Sequence, residues 1–326
     1  MRIAFSARVG AAERAEWLQV LREACPGHEW HEQWAPGEAF DAAVVANPEP
    51  GVLQGLRGLR LVQSLWAGVE RLLQDATLPP GVPLARMVDP AMNAAMAETA
   101  AWAVLSLHRG FFDYAAQQQR AQWLQRRQRL AAEVPVLVLG HGAMGAAVSR
   151  SLAALGYPVS AWRRAEPAAG APGTHGTHGT HGTPGTPGIR LLHGIEALHQ
   201  ALAGTEVLIN LLPLTPQTRG ILGAPLFERL PRGASVVNLA RGAHLVEADL
   251  RAALDTGHLR HAVLDVFDTE PLPSAHPFWT HPRVTVLPHV AALTDARSAA
   301  AVVADNLGRL ERGEPLAHLV DRVRGY

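Results

Sequence analysis

Two groups of residues in this 326-residue chain have types and spacings suited to chemistry. The first lies in "VLVLGHGAMG", where Gly140, Gly142 and Gly145 form a G-x-G-x-x-G turn directly after the apolar run Val136 to Leu139 and ahead of a helix-patterned stretch. In that setting Gly140 permits a tight turn, Gly142 lets a pyrophosphate reach the backbone at Ala143 and Met144, and Gly145 lets the helix pack closely on the strand. A glycine-rich turn without a ligand is the plainer alternative. The second group is Arg241 after "VVNLA", Glu270 in "DVFDTEP" and His289 after "RVTVLP". Each follows a strand candidate, and ligands of open α/β folds sit at the carboxyl ends of strands, so the three can meet around one small molecule. Taken singly, an arginine capping a strand edge, a glutamate in a Glu-Pro turn and a histidine packed in a loop would be ordinary.

A third feature bears on the choice of ligand. The strand after the glycine turn ends in "VSAWRR", which places Trp162, Arg163 and Arg164 where a dinucleotide's adenosine ribose would lie. A carboxylate at that place would bind the 2′ hydroxyl of NADH, and none is present. A guanidinium donates two charge-assisted hydrogen bonds to a phosphate, so the arginines favour NADPH, with NADH as the second option. Arginines merely solvated at the surface are the alternative.

The elements that must position these residues form two series of alternating strands and helices. The first, "RIAFSA", "AAERAEWLQVLREA", "DAAVVA" and "RLVQSLWAGV", predicts an open, mostly parallel sheet. Met92 to Leu124 is helical in pattern with Gly110 as its one strong breaker, and reads as a long helix or a pair. The second series supplies six strand candidates, "VPVLVLG", "YPVSAWRR", "EVLINLL", "ASVVNLA", "HAVLDVF" and "RVTVLP", which makes a doubly wound nucleotide-binding domain the leading architecture. "APGTHGTHGTHGTPGTPG", at 171–188, belongs to neither series. Almost free of large apolar side chains, it reads as a mobile surface loop, and nothing rigid orients His175, His178 and His181, so no metal site is expected.

Composition removes several classes of function. All 29 basic residues are arginine, which excludes a Walker A loop, a pyridoxal Schiff base and any lysine acid or base. They balance 29 acidic residues, so no excess charge points to nucleic acid or an anionic membrane. Cys25 is the single cysteine, no apolar run reaches membrane-spanning length, and "MRIAFSARVG" is too short a lead for secretion, so a cytoplasmic location is expected. Small-molecule chemistry is what remains.

In order after the glycine turn, "LLPLTPQTRGIL", "NLARG", "LDVFDTEPLP" and "HPRVTVLPHVAA" resemble the D-2-hydroxyacid dehydrogenase family. From "SLWAGVE" to "VDRVRGY" the chain is most similar to the glyoxylate/hydroxypyruvate reductase A branch of that family. The resemblance implies an α/β fold of two doubly wound parallel-sheet domains: a flavodoxin-like substrate domain, 1–91 with 289–326, and a Rossmann cofactor domain, 92–288. It implies that Arg241, Glu270 and His289 are catalytic. Leu212, Pro213, Leu239, Ala240 and Asp265 would border the cofactor, Asp265 at its nicotinamide end. Trp66, Ala67, Gly68 and Val69 would meet the substrate, the backbone of the last three donating amides to its carboxylate. Two chains would pair as a homodimer, mainly through the cofactor domain.

On that reading Arg241 holds the carboxylate and ketone oxygens of a 2-oxo acid through two fixed donors. As hydride arrives, charge grows on the ketone oxygen; His289 would deliver the proton, with Glu270 on its other ring nitrogen favouring the imidazolium. The expectation is an NADPH-preferring reductase of small 2-oxo acids, glyoxylate and hydroxypyruvate foremost. A dehydrogenase of larger oxo acids and a cofactor-sensing binding protein on the same fold are the alternatives.

Overall fold

The computed structural model describes residues 1–164 and 188–325. The loop expected at 171–188 therefore lies outside the described residues except for Gly188. The chain divides into two compact units, Met1–Met92 with Thr294–Tyr326, and Asn93–Leu293.

The first unit opens with β1 (Arg2–Ala7), α1 (Ala11–Ala24), β2 (Glu29–His31), β3 (Ala42–Ala46), β4 (Leu61–Ser64), α2 (Glu70–Gln74) and β5 (Leu84–Ala85). Its five strands are parallel in the order β2-β1-β3-β4-β5, the order of flavodoxin-type sheets. β3 shows why such strands read as unbroken apolar runs: all five of its residues are buried, because both faces of a parallel sheet are covered. β2 and β5, three and two residues long, carry too little pattern to be read in advance.

The helical stretch that follows is a pair, α3 (Pro90–Arg109) and α4 (Phe111–Gln119), divided at Gly110, whose φ of +74° suits glycine. The second unit continues with β6 (Val136–Leu139), α5 (Ala143–Ala154), β7 (Val159–Arg163), β8 (Ile189–His193), α6 (Gly194–Leu202), β9 (Val207–Asn210), α7 (Ala224–Phe227), β10 (Ala234–Asn238), α8 (Glu247–Asp255), β11 (Leu259–Leu264) and β12 (Val284–Val286). These strands form one parallel sheet, β12-β11-β10-β9-β6-β7-β8, whose order reverses between β6 and β9. Six of the seven strands match the sequence reading. β8 does not figure in it, since this edge strand begins just past the low-complexity segment and only two of its five residues are buried.

Register places the site. Leu139, Asn210, Asn238, Leu264 and Val286 are successive partners across β6, β9, β10, β11 and β12. The residues that follow each of them therefore leave the sheet along one edge, and every candidate residue of the second unit belongs to those segments, to α5 or to the end of β7.

α9 (Ala296–Arg312) belongs to the first unit and packs on α1. Asp295 caps it, accepting hydrogen bonds from the amides of Arg297 and Ser298 at 3.1 and 2.9 Å. Its fully buried Asn306 donates to Oε1 of Gln63 at 2.7 Å and to the Ala317 carbonyl at 3.1 Å, so these buried polar groups are satisfied. Among the described residues no helix is long and apolar enough to cross a membrane.

A Cβ on Gly145 would stand 1.8 Å from the carbonyl oxygen of Gly140. Gly145→Ala is thus expected to destabilise the second unit by about 1 to 3 kcal/mol as α5 is pushed off β6. The check is a urea melt, where the midpoint should fall at unchanged slope. An unmoved midpoint would show that this contact is not close.

Candidate active site

The turn after β6 is built for close approach. Gly140 has φ +97°, its amide donates to the Trp162 carbonyl at 2.8 Å, and a Cβ there would lie 2.6 Å from the Leu211 carbonyl oxygen. Gly142 is the N-cap of α5, with open space where a side chain would point, and no side chain caps the helix. First-turn amides left without a capping side chain, at the positive end of a helix dipole, suit an anion. The turn, with Ala143 and Met144 on the first turn of α5, fits a dinucleotide pyrophosphate.

At the end of β7 the three expected residues part company. Trp162 is 3% exposed, packs with Leu192 and Leu198, and donates its indole N–H to the Gly194 carbonyl at 2.7 Å. Its side chain belongs to the core, and Arg163 and Arg164 are the side chains presented at the strand end, the first half-buried and the second exposed.

Three successive strand ends carry the second group. After β10, half-buried Arg241 directs Nη1 to the Ala240 carbonyl at 2.6 Å. After β11, buried Asp265 accepts hydrogen bonds from the amides of Val290 and Ala291 at 2.7 and 3.0 Å, while its carbonyl accepts one from the His289 amide at 2.9 Å. These bonds fasten the segment after β12 to the end of β11. They hold His289 at φ +56°, a left-handed conformation uncommon outside glycine and frequent where structure serves function.

His289 Nδ1 donates to Oε2 of Glu270 at 2.7 Å, and Oε1 of Glu270 accepts the Phe267 amide at 2.9 Å. The Glu270 hydrogen bond raises the His289 pKa above its ordinary value, against burial and the Arg241 charge, which lower it. Burial alone would raise the Glu270 carboxyl, but the His289 bond, the Phe267 amide and the Arg241 charge hold it below the usual range. Burial pushes Asp265 up, against the two amides that pull it down. Arg241, Glu270 and His289 thus lie within one electrostatic neighbourhood. With Nδ1 engaged, the second ring nitrogen of His289 sits on a side chain that is 52% exposed, an arrangement chemically able to exchange a proton.

Beneath this edge lies a polar network absent from the sequence reading. Asn210 Nδ2 donates to Oδ1 of Asn238 and to Nδ1 of His244, each at 3.0 Å; Asn238 Nδ2 donates to the Arg241 carbonyl at 3.0 Å, and His244 Nε2 to the Pro213 carbonyl at 3.2 Å. The amides of Leu212 and Ala240 donate to the two asparagine oxygens, both at 3.3 Å. All three residues are fully buried. The available signal was an asparagine closing each of two apolar strands, "VLIN" and "ASVVN". The network fixes the backbone of Leu212, Pro213, Ala240 and Arg241; Leu239 is buried beside it.

Trp66, Ala67, Gly68 and Val69 lie in the first unit, between β4 and α2. Trp66 exchanges hydrogen bonds with Ser64 Oγ at 3.0 Å through both its amide and its carbonyl, and its ring meets Trp17 edge-on at 6.0 Å. Ala67 and Gly68 are partly exposed, and Val69 is buried as the N-cap of α2. Among the described residues there is no cluster of histidine, cysteine and carboxylate side chains able to hold a metal ion.

A seven-stranded parallel sheet of this order, with a glycine turn at its switch point and a glutamate-supported histidine on the same edge, defines the class of dinucleotide-dependent dehydrogenases. Comparison with known proteins narrows it. The family described as "D-isomer specific 2-hydroxyacid dehydrogenase, NAD binding domain" matches residues 101–180 and 189–291. Glyoxylate/hydroxypyruvate reductase A of Klebsiella pneumoniae (strain 342) is 40% identical over 317 residues, 95% of this chain and 96% of that protein. A D-isomer specific 2-hydroxyacid dehydrogenase of Xanthobacter autotrophicus Py2, solved with NADPH and MES, superposes with a TM-score of 0.88 at 37% identity, covering 100% of this chain and 99% of that one. The NADPH-dependent glyoxylate/hydroxypyruvate reductase of Sinorhizobium meliloti, solved with NADP and sulfate, gives 0.87 at 33% identity over 100% and 99% of the two chains. The chain belongs to the D-isomer specific 2-hydroxyacid dehydrogenase family.

Because Glu270 is the largest cause of the raised His289 pKa, Glu270→Gln should move the titration of that ring to lower pH. The neutral amide can still accept the hydrogen bond but no longer favours the cation by charge. The measurement is the NMR titration of the His289 ring in both proteins. An unmoved midpoint would remove Glu270 from this role.

Proposed function

We propose that the protein is an NADPH-preferring reductase of small 2-oxo acids, glyoxylate and hydroxypyruvate foremost. The observation that carries this reading is the 2.7 Å bond from His289 to Glu270, with Arg241 acting on both charges, on the sheet edge that also bears the glycine turn. The names of the Klebsiella and Sinorhizobium relatives support the substrate class, and the NADPH and NADP in the two solved structures support the cofactor.

Gly140, Gly142, Ala143, Met144 and Gly145 would hold the pyrophosphate, and Arg163 and Arg164 the 2′ phosphate. Leu212, Pro213, Leu239 and Ala240 would border the cofactor, with Asp265 towards the nicotinamide. NADPH, when bound, supplies a hydride to the ketone carbon. Arg241 orients the oxo acid through its planar fork, and the backbone of Ala67, Gly68 and Val69 donates to the substrate carboxylate, with Trp66 as a wall of the pocket. As charge develops on the ketone oxygen, the second ring nitrogen of His289 delivers a proton, and Glu270 stabilises the imidazolium beforehand. Asp265 keeps His289 in place through the amides that follow it.

In this reading the second unit is the cofactor domain and the first the substrate domain, the enzyme works in the cytoplasm, and two chains pair through the second unit. Pairing is supported by apolar side chains left in solvent on one stretch of that unit: Trp123 is 90% exposed, Leu124 61% and Leu130 73%.

The reading requires steady oxidation of NADPH by glyoxylate, followed by absorbance. His289→Ala should lower kcat by roughly 100- to 10,000-fold with little change in NADPH affinity, since it removes proton delivery and not the cofactor site. Near-normal turnover would overturn the assignment. Trp123→Glu should convert a sedimenting dimer to monomer, because a charge cannot be buried unpaired in an apolar interface; a dimer that persists would place the interface elsewhere.

A further inference from the structure

Three adjacent strand ends gather basic groups around one imidazole. His141 stands between Gly140 and Gly142, just past β6. Leu139 pairs with Trp162 in β7, and Arg163, the next residue, pairs with His193 at the end of β8. Arg150 comes from α5. Among the described residues the charged or titratable groups bearing on His141 are Arg163, Arg150 and His193, and all three are basic. Burial, and then these groups, push its pKa down to about 4. Its Nδ1 is buried and has no hydrogen-bond partner among the described residues. A buried polar atom without a partner calls for an explanation, and a histidine with basic neighbours is suited to an anionic ligand. The turn itself is made by the flanking glycines and has no need of an imidazole between them.

We propose that His141 is a specificity-determining residue that takes up a proton when the 2′ phosphate of NADPH enters, so that cofactor preference depends on pH. This rests on the NADPH reading above and adds to it a group that Arg163 and Arg164 do not supply. A dianionic phosphate at the ends of β6, β7 and β8 offsets the surrounding positive charge and offers Nδ1–H an acceptor. The proton comes from solvent and the imidazole becomes imidazolium; no bond of the cofactor changes. The ribose hydroxyl of NADH carries no charge and draws in no proton.

The sign follows from linkage. A ligand that raises a depressed pKa takes up protons between the free and bound values, so its affinity rises as pH falls through the bound value towards the free one. The phosphate titrates too, with its second pKa at about 6, and its own protonation opposes the effect. Variants that keep the phosphate and lose the imidazole separate the two.

The experiment is calorimetry of the full chain with NADP⁺ and NAD⁺, the oxidised forms being stable in acid, in buffers of differing ionisation enthalpy. At about pH 6 NADP⁺ should take up protons beyond any uptake with NAD⁺, and the NADP⁺ to NAD⁺ affinity ratio should be about 3- to 10-fold larger than at about pH 8. His141→Asn and His141→Gln, checked for folding by thermal melting, should lose the extra uptake and flatten the ratio. Arg163→Ser with Arg164→Ser should lower the ratio at both pH values. Extra uptake that persists in both His141 variants would overturn the inference, as would an affinity ratio whose change between the two pH values is the same in parent and variants; in either case the NADPH reading would stand. A parent that prefers NAD⁺ would bring down both.

Discussion

The hydrogen bond between His289 and Glu270 joins two loops, one after β12 and one after β11, and neither end is held by being buried: the two side chains are 52% and 35% exposed. Between groups so exposed such a bond adds little stability of its own. Its value is orientation, which is inherited from Asp265. That carboxylate accepts two amides of the His289 segment, at 2.7 and 3.0 Å, from a buried position where an unpaired charge would be costly. Loosen those bonds and the imidazole loses its aim before the fold loses its core.

The asparagine network does the same for the neighbouring strand ends. Parallel strands finish with their last carbonyls and amides pointing towards a ligand cleft, where no helix or further strand continues the pattern. Asn210 and Asn238, paired in register, supply side-chain donors and acceptors that the backbone there lacks, and His244 closes the group on the Pro213 carbonyl. Each member donates or accepts through every polar atom described, the condition under which a buried polar cluster rigidifies its surroundings. Arg241, Leu212 and Ala240 are therefore set on a scaffold that does not depend on the ligand to form.

Much of this was legible before any coordinates. The glycine turn follows from local spacing, and β6, β9, β10 and β11 from short apolar runs between breakers, signals that both survive in a single sequence. The convergence of Arg241, Glu270 and His289 could be anticipated because all three follow strands of one sheet. What escaped depends on register or on long-range neighbours. Whether Trp162 or Arg163 faced outward was a matter of which side of β7 each occupied, and the tryptophan turned inward. Asn210 and Asn238 read as ordinary strand endings, since their pairing exists only once β9 and β10 lie side by side. β8 went unread because its apolar content is thin and its flank is low in complexity. His141 occupied a variable position of a motif defined by its glycines, and its basic neighbours come from β7, β8 and α5.

The first unit is written at both ends of the chain, with α9 and its bond from Asn306 to Gln63, 243 residues apart in sequence, completing a core begun by β1 to β5. A ribosome adding 5 to 20 residues per second would take on the order of ten to fifty seconds to make the intervening chain. For that time the first five strands exist without the helix that covers them, while the second unit, contiguous in sequence, can close as soon as it emerges. Vectorial synthesis therefore allows the second unit to close before the first, whose early strands wait for α9 to emerge.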